Sequence, residues 1–297
     1  LRYIEKRSMN KDKKFSVDLI FNFLEQASYE YNGKTHRIKD QEEYLRFHLK
    51  RYYFTLKLLS PLMAKGSKVL DLGSFPFHLP FLLKHFLETE ITLNGIPDSE
   101  TGRIKNDDSV IKFKSEKYRY EFNYHNFNLE HDQFPFNDNS FDFILCLEVI
   151  EHLLENPVFM LAEIHRILKP EGKLILTTDN ALRFSQVFKL LFNRNTWFRY
   201  YPGNPYFRHN REFTLKEINE LLSTNGFKAE TIRHVNINMA DSIFKSAGNL
   251  LFSIITWIPL PFFWKKKRHI VSIWRKVASR INYPHSIYIK EPDEPDN

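Results

Sequence analysis

The chain has 297 residues, of which 27% are charged and 42% hydrophobic, and its formal net charge is +7 at pH 7. This length accommodates one large α/β domain with additions or two small domains, and the composition is that of an ordinary soluble protein. The single cysteine, Cys146, excludes a disulfide within the chain. No apolar stretch near residue 1 is typical of a secretory signal, so we expect a cytoplasmic protein.

The positive charge favours anionic partners such as nucleotide-sugars, phospholipid surfaces or nucleic acid, without choosing among them. Along the chain, residues 1–60 are predicted to form an N-terminal helical cap. Apolar side chains recur every three to four positions between Phe15 and Leu59, and Asn32-Gly33 separates the two helices.

Residues 61–238 are predicted to form the core, because short apolar strands alternate with amphipathic helices. The predicted strands are Lys68–Leu72, Ile91–Ile96, Glu121–Phe127, Phe141–Leu147, Lys173–Thr178 and Lys228–Asn236. The predicted helices are Leu79–Leu87, Pro157–Leu168, Leu182–Phe192 and one that follows the Thr214 to Glu217 capping box. Residues Asp98–Glu116 contain no helical pattern, and we expect a polar loop there.

The C-terminal part is predicted to contain an apolar, helical insertion at residues 239–284, then a last, antiparallel strand at Ser286–Lys290 and an acidic tail within residues 285–297. Residues Leu250–Trp264 are nearly all apolar and precede the basic run Lys265–Arg268. This stretch is too short and too proline-broken to span about 30 Å of hydrocarbon. It suits a peripheral position on anionic lipid or contact with a lipid-linked acceptor; the alternatives are packing on the domain or a dimer contact.

Three segments carry a family resemblance: K-V-L-D-L-G (68–73), F-P-F-N-D-N-S-F-D-F-I-L-C-L-E-V-I-E-H-L (134–153) and R-I-L-K-P-E-G-K-L-I-L-T-T-D-N (166–180). They resemble the Rossmann-like, class I S-adenosylmethionine-dependent methyltransferases of the methyltransferase-11 group, over roughly Pro61 to Phe227. The resemblance implies a doubly wound, seven-stranded, mostly parallel sheet with an antiparallel last strand, and S-adenosylmethionine as cofactor. A later run, Arg208–Phe227, is similar to members in glycan and cell-envelope (polysaccharide) biosynthesis.

Carried onto this chain, the family's cofactor site falls on residues at the ends of the first four strands: Asp71, Gly73, Ser74, Asp98, Asn128, Leu129, Cys146, Leu147 and Glu148. The family's D-x-G-x-G-x-G loop departs here, because Phe75 and Phe77 replace two glycines. Asp98 stands where an acid binds the ribose hydroxyls only if the strand end shifts by one residue; otherwise it is a solvated loop acid. Asn128 and Leu129 either contact adenine or simply form a turn.

The resemblance places His152 and Asp179 near the point of methyl transfer as candidate catalytic bases. A lone histidine at a helix start is also a common packing or capping residue. Above the same edge, Trp197, Tyr201, His209 and Arg211 are predicted to bind the acceptor, since aromatic rings stack on sugars and arginine pairs with phosphates. The alternative is a structural cover over the core.

The sequence contains no cysteine pair and no H-E-x-x-H, so no metal site is expected. C-L-E-V at the fourth strand end argues against methylation of nucleic-acid bases, and the missing G-x-G-x-x-G argues against a dehydrogenase. We therefore expect O-methylation of a sugar, glycan or lipid-linked glycan. The alternatives are a small-molecule or quinone/lipid methyltransferase and, given Phe75 and Phe77, a catalytically silent scaffold.

Overall fold

The structure is a computed structural model that describes residues 15–31, 33–95, 109–196, 203, 205–237, 267–277, 283–284 and 287–288. Its α-helices are α1 (Val17–Glu25), α2 (Glu42–Leu59), α3 (His78–Leu87), α4 (Pro157–Ile167), α5 (Phe184–Leu191) and α6 (Leu215–Thr224). Its strands are β1 (Ser28–Tyr31), β2 (Lys34–Arg37), β3 (Lys68–Leu72), β4 (Glu90–Asn94), β5 (Ser109–Lys114), β6 (Arg119–His125), β7 (Phe141–Leu147), β8 (Leu168–Asp179), β9 (Phe227–Val235) and β10 (His269–Lys276).

The strands form one sheet in the order β2-β1-β5-β6-β4-β3-β7-β8-β10-β9. The five central strands β6, β4, β3, β7 and β8 are parallel, and β10 is antiparallel to both of its neighbours. The order of connection reverses between β3 and β7. In open α/β sheets ligands bind at this switch point, outside the carboxyl ends of the strands.

The core strands are the part of the fold that the sequence predicted best. β3 and β7 have the predicted bounds, and both are almost wholly buried because apolar side chains cover both faces of the sheet. The predicted N-cap of α6 is confirmed: the Thr214 Oγ1 accepts from the Glu217 amide, and the Glu217 carboxylate accepts from the Thr214 amide.

The antiparallel strand lies elsewhere than predicted. It is β10, within the segment predicted as an insertion, whereas Ile287 and Tyr288 lie in a turn. β10 is buried from His269 to Trp274. It lies between β8 and β9, where a run of apolar and β-branched residues is favoured. The predicted position of this strand was wrong because the basic residues before His269 are not typical of the start of a buried strand. Residues 238–266, including Leu250–Trp264, lie outside the described residues.

The N-terminal region and the predicted polar loop also differ from expectation. The cap contains the hairpin β1–β2 as well as helices, and β5 occupies part of the predicted loop. These three strands extend the sheet beyond β6, so the described residues form a sheet of ten strands rather than the predicted seven. Tyr29 of β1 and Phe113 of β5 are cross-strand partners and both are buried, which ties the hairpin to the core. The described residues contain no helix long and apolar enough to span a membrane.

Candidate active site

A cavity of about 410 Å³ opens at the carboxyl ends of β3, β4 and β7. Helix α2 forms one wall with aromatic and basic side chains, the loops after the strands form the floor, and residues 206–209 and Arg268 close the far end. The predicted site residues that line it are Asp71, Gly73, Ser74, Asn128, Leu129, Leu147, Glu148, His152, Asp179 and His209.

The loop after β3 is held by Asn94, at the end of β4. The Gly73 amide donates to Asn94 Oδ1 at 3.3 Å, and the Ser74 amide donates to the Asn94 carbonyl at 3.0 Å. Gly73 has φ +65°, and a Cβ there would lie 2.9 Å from Val149 Cγ2. Glycine is therefore required at this position, both for its backbone conformation and for the close approach of the next loop.

Asp71 ends β3 and is 4% exposed. Burial raises the pKa of its carboxyl to about 7, and the neighbouring Ser74 hydroxyl partly offsets this rise. Asp71 therefore stands at the floor of the cavity as a carboxyl that changes protonation near neutral pH.

Phe75 and Phe77 do not fill the cavity. Phe77 adopts φ +66°, a glycine-like conformation, but its ring is fully buried beside Tyr29, Tyr31 and Tyr124. Phe75 is 43% exposed and forms part of the cavity rim. Phenylalanines in place of the family's glycines thus leave space beside Gly73 and Ser74.

The loop after β6 forms the next part of the wall. Hydrogen bonds from its backbone and its side chain fix Asn128. Its backbone N–H donates to Asp132 Oδ2, its Oδ1 accepts from the Glu130 backbone N–H, and its Nδ2 donates to Tyr206 Oη. Gly95 lines the cavity below it, and a Cβ there would lie 1.9 Å from Tyr124 Oη. Asp98, the predicted ribose ligand, lies outside the described residues.

The end of β7 supplies Leu147 and Glu148. Glu148 has φ +59°, and its Oε1 accepts from Thr177 Oγ1 at 2.7 Å. Burial lowers the pKa of the facing Arg51, but Glu148 and two tyrosines of α2 more than offset this and leave the pKa raised. The Cys146 side chain lies in the hydrophobic core rather than in the cavity, and burial raises the pKa of its thiol.

The far end of the cavity is polar. Asp179 Oδ1 accepts from Arg268 Nε at 3.3 Å, and Asp179 Oδ2 lies 3.8 Å from His209 Nδ1. The His152 and His209 rings pack edge to face with centroids 4.8 Å apart. Burial lowers the pKa of His152, the neighbouring His209 lowers it further, and the carbonyls of Arg208 and Tyr206 oppose both effects.

Of the predicted acceptor-binding residues that the structure describes, Arg211 lies outside this cavity. Arg211 bonds to Glu217 at 2.8 Å and is absent from the cavity wall, while Trp197 and Tyr201 lie outside the described residues. Sequence reasoning missed Arg51, Asn94 and Gly95. Arg268 was assigned to a membrane-facing basic run because its neighbours in sequence are lysines, whereas the start of β10 brings it to Asp179.

An open α/β sheet with a cavity at its switch point, beside a tight glycine turn, is the arrangement in which such folds bind ligands. A family model described as "Methyltransferase domain" matches residues 103–176. A probable S-adenosylmethionine-dependent methyltransferase of Mycolicibacterium smegmatis is 36% identical over 98 residues, which is 33% of each chain. The ubiquinone biosynthesis O-methyltransferase of Rickettsia bellii is 26% identical over 156 residues, or 52% of this chain and 62% of that one.

Among solved structures, a methyltransferase in complex with the Trm112 methyltransferase activator of Haloferax volcanii aligns with a TM-score of 0.49 and 15% identity, covering 81% of this chain and 96% of that one. The chain thus spans a third of the length of the Mycolicibacterium relative and less than two thirds of the Rickettsia one. The sequence matches confirm the predicted resemblance to S-adenosylmethionine-dependent methyltransferases over the residues that they cover, and this resemblance implies S-adenosylmethionine as the cofactor.

Proposed function

We propose that this chain transfers the methyl group of S-adenosylmethionine to a hydroxyl oxygen of a sugar, glycan or lipid-linked glycan. The observation that carries the proposal is that one cavity joins the Gly73 loop to the polar group of His152, Asp179 and His209. In the reaction the acceptor O–H loses its proton, an O–C bond forms and the S–C bond breaks, which leaves S-adenosylhomocysteine. Because the sulfonium is already activated, positioning contributes most of the rate, with modest help from a base.

The roles follow from position in the cavity. Asp71, Gly73 and Ser74 would bind the methionine portion of the cofactor, and Asn128 with Leu129 would bind its adenine. Leu147 and Glu148 would lie beside the transferred methyl group. His152 and Asp179 are the candidate groups to take the acceptor proton, and His209 with Arg268 would hold the acceptor.

A quinone or other apolar small molecule is the second candidate acceptor. The wall formed by α2 favours it, because Phe47, Phe54 and Leu58 present apolar surface to the cavity. The resemblance to the Rickettsia O-methyltransferase supports the same class. Methylation of a catechol-type substrate, but of no sugar, would select this alternative.

Contact with a membrane surface is part of the proposal. Its first support is the apolar and basic sequence of residues 250–268. Its second is α5, whose end exposes Leu190, Leu191 and Phe192 by 63%, 76% and 62%. Lys267 and Arg268, at the end of this run, lie next to the start of α5, since Asn180 donates to both of their carbonyls. A lipid surface there would bring a lipid-linked acceptor to the cavity.

Isothermal titration with S-adenosylmethionine and S-adenosylhomocysteine is the first test, followed by screening glycan, lipid-linked and quinone-type acceptors. We expect both cofactor forms to bind and Gly73→Ala, which strains the loop, to weaken binding. Gly33→Ala is the matched control, because Gly33 also has positive φ but lies in the distant β1–β2 turn, where an added methyl group would have no atom within 4 Å. No binding by the folded chain would overturn the proposal in favour of a silent scaffold.

A further inference from the structure

We propose that Glu151, His152 and His209 bind a divalent transition-metal cation at the acceptor end of the cavity. One ligand atom from each of these residues lies within 4.8 Å of the others. This inference rests on the proposed methyl transfer to oxygen and adds the element that would bind the acceptor hydroxyl. No metal site was expected from the sequence, which contains no cysteine pair and no H-E-x-x-H.

The backbone brings the three residues together. His209 comes from the segment before α6, and Glu151 and His152 come from the short 3₁₀ turn after β7. The Asn210 and Arg211 amides both donate to the Glu151 carbonyl, at 2.8 and 3.2 Å. The Asn210 side chain also donates to the His152 carbonyl at 2.8 Å. Three hydrogen bonds therefore hold the two chain segments together, and they fix the backbone positions from which the three side chains approach one another.

Two of the ligand atoms are buried without a hydrogen-bond partner among the described residues. Glu151 is fully buried, and its Oε2 accepts from Thr178 Oγ1 at 2.8 Å while its Oε1 has no partner. His152 Nδ1 is likewise buried and unpartnered. A buried carboxylate oxygen without a donor is costly, and such an atom in a native structure calls for an ion or water. A cation between Glu151 Oε1 and His152 Nδ1 would satisfy both.

The remaining contacts orient the imidazoles as a metal site requires. Glu212 Oε1 lies 3.4 Å from His209 Nδ1, so a proton on Nδ1 would leave the lone pair on Nε2. The backbone carbonyls of Tyr206 and Arg208 hydrogen-bond to His152, whose Nδ1 is the buried atom without a partner. Ligating histidines characteristically donate their second N–H to a carboxylate or a carbonyl, which fixes the tautomer.

Two other carboxylate–histidine groups lie nearby, but their charges are already compensated. In Asp179–His209–Glu212, both acids have guanidinium partners: Arg268 lies 3.3 Å from Asp179, and Arg183 lies 2.5 Å from Glu212. In Glu148–Asp179–His269, Glu148 faces Arg51. An arginine at each acid opposes a second cation. Among these described acids, Glu151 alone has a buried oxygen without a partner.

Two imidazoles and one carboxylate form a donor set suited to Mn²⁺, Fe²⁺, Co²⁺ or Zn²⁺ rather than Ca²⁺. Three protein ligands leave coordination positions open towards the cavity. A hydroxyl oxygen bound there would lose its proton more readily, as metal-bound water does. A second oxygen on the neighbouring carbon would occupy another position, so the proposal specifies an acceptor with vicinal oxygens, such as a sugar diol or a catechol. His152 would then be a ligand and not the base.

The test is titration of the chelator-treated full chain with Co²⁺ alone, followed by visible absorption. We expect one Co²⁺ per chain with ligand-field bands of a mixed nitrogen and oxygen site. His209→Ala should abolish these bands. Glu212→Gln, which weakens the contact that orients the His209 ring together with the ion pair to Arg183, should weaken Co²⁺ binding about 10-fold. His131→Asn removes a surface histidine that lies 3.5 Å from Glu155 and should change nothing.

Binding of S-adenosylhomocysteine by each variant shows that it has folded, and it is measured separately from the metal. Absence of bands in the folded parent chain, or bands that survive in His209→Ala, would overturn the metal site. The proposed function would fail independently if Co²⁺ bound as expected but no hydroxyl acceptor were methylated with any of the four cations. If methylation proceeds at full rate in excess chelator and no Co²⁺ bands are seen, the proposed function stands and the proposed metal site is wrong.

Discussion

The Phe77 ring packs at right angles against the Tyr29 ring, with centroids 5.4 Å apart and an interplanar angle of 82°. This contact joins the loop after β3 to the hairpin β1–β2 at one edge of the sheet. Phe77 is a phenylalanine where the methyltransferase family commonly has glycine, and Tyr29 belongs to a strand outside the predicted seven. The two departures are one feature of the molecule: the added hairpin supplies the apolar surroundings that the phenylalanine needs.

Replacing Phe77 by alanine should destabilise the chain by about 3–5 kcal/mol, because it removes a fully buried ring from an aromatic cluster. Urea unfolding followed by tryptophan fluorescence measures the change. Phe75→Ala is the matched control, and its cost should be below about 1 kcal/mol because that ring is 43% exposed at the cavity rim. Equal costs for the two variants would show that Phe77 does not anchor the hairpin.

Asp71 should make the cofactor-free chain less stable as the pH rises from acid to neutral. Its folded pKa of about 7 lies above the unfolded value of 3.8, so between these values the folded chain binds more protons than the unfolded chain and stability falls with rising pH. This difference in pKa between the folded and unfolded chain corresponds to a change of at most about 4 kcal/mol in the free energy of unfolding. Urea midpoints at about pH 5 and about pH 8 measure this, and Asp71→Asn should flatten the dependence. An unchanged slope in that variant would assign it to other groups.

Glu130 should stabilise the turn that leads into α4 and the cavity wall beside it. Its buried carboxylate accepts from the amides of Leu154, Glu155 and Asn156, at 2.9, 2.6 and 2.8 Å. Glu130→Ala would leave three partly buried amides without this acceptor and should cost about 1–3 kcal/mol. Glu130→Gln, which retains one acceptor oxygen, should cost less. Thermal unfolding orders the variants, and a neutral Glu130→Ala would contradict the assignment.

The centre of the fold was predictable from sequence, whereas its edges and much of the site were not. β3 and β7 are short continuous apolar runs between turns, a pattern typical of a buried strand in a parallel sheet, and Asp71 and Glu148 follow from their ends. Arg51 and Asn94 reach the cavity through packing of distant segments, which periodicity does not encode. β10 was not predicted because basic residues precede its start. The His152–His209 contact depends on Asn210, which hydrogen-bonds to the carbonyl of His152, 58 residues away in sequence.

The exposed apolar end of α5 yields the last prediction. If Leu190 and Leu191 touch lipid, Leu190→Asp with Leu191→Asp should reduce flotation of the chain with anionic vesicles, because burying two carboxylates in a lipid interface is unfavourable. Leu19→Asp and Val110→Asp introduce the same charge at exposed residues, 44% and 47%, on α1 and β5. These control changes should leave flotation intact. Equal loss in both pairs would indicate a general charge effect, and equal retention would remove α5 from the membrane contact.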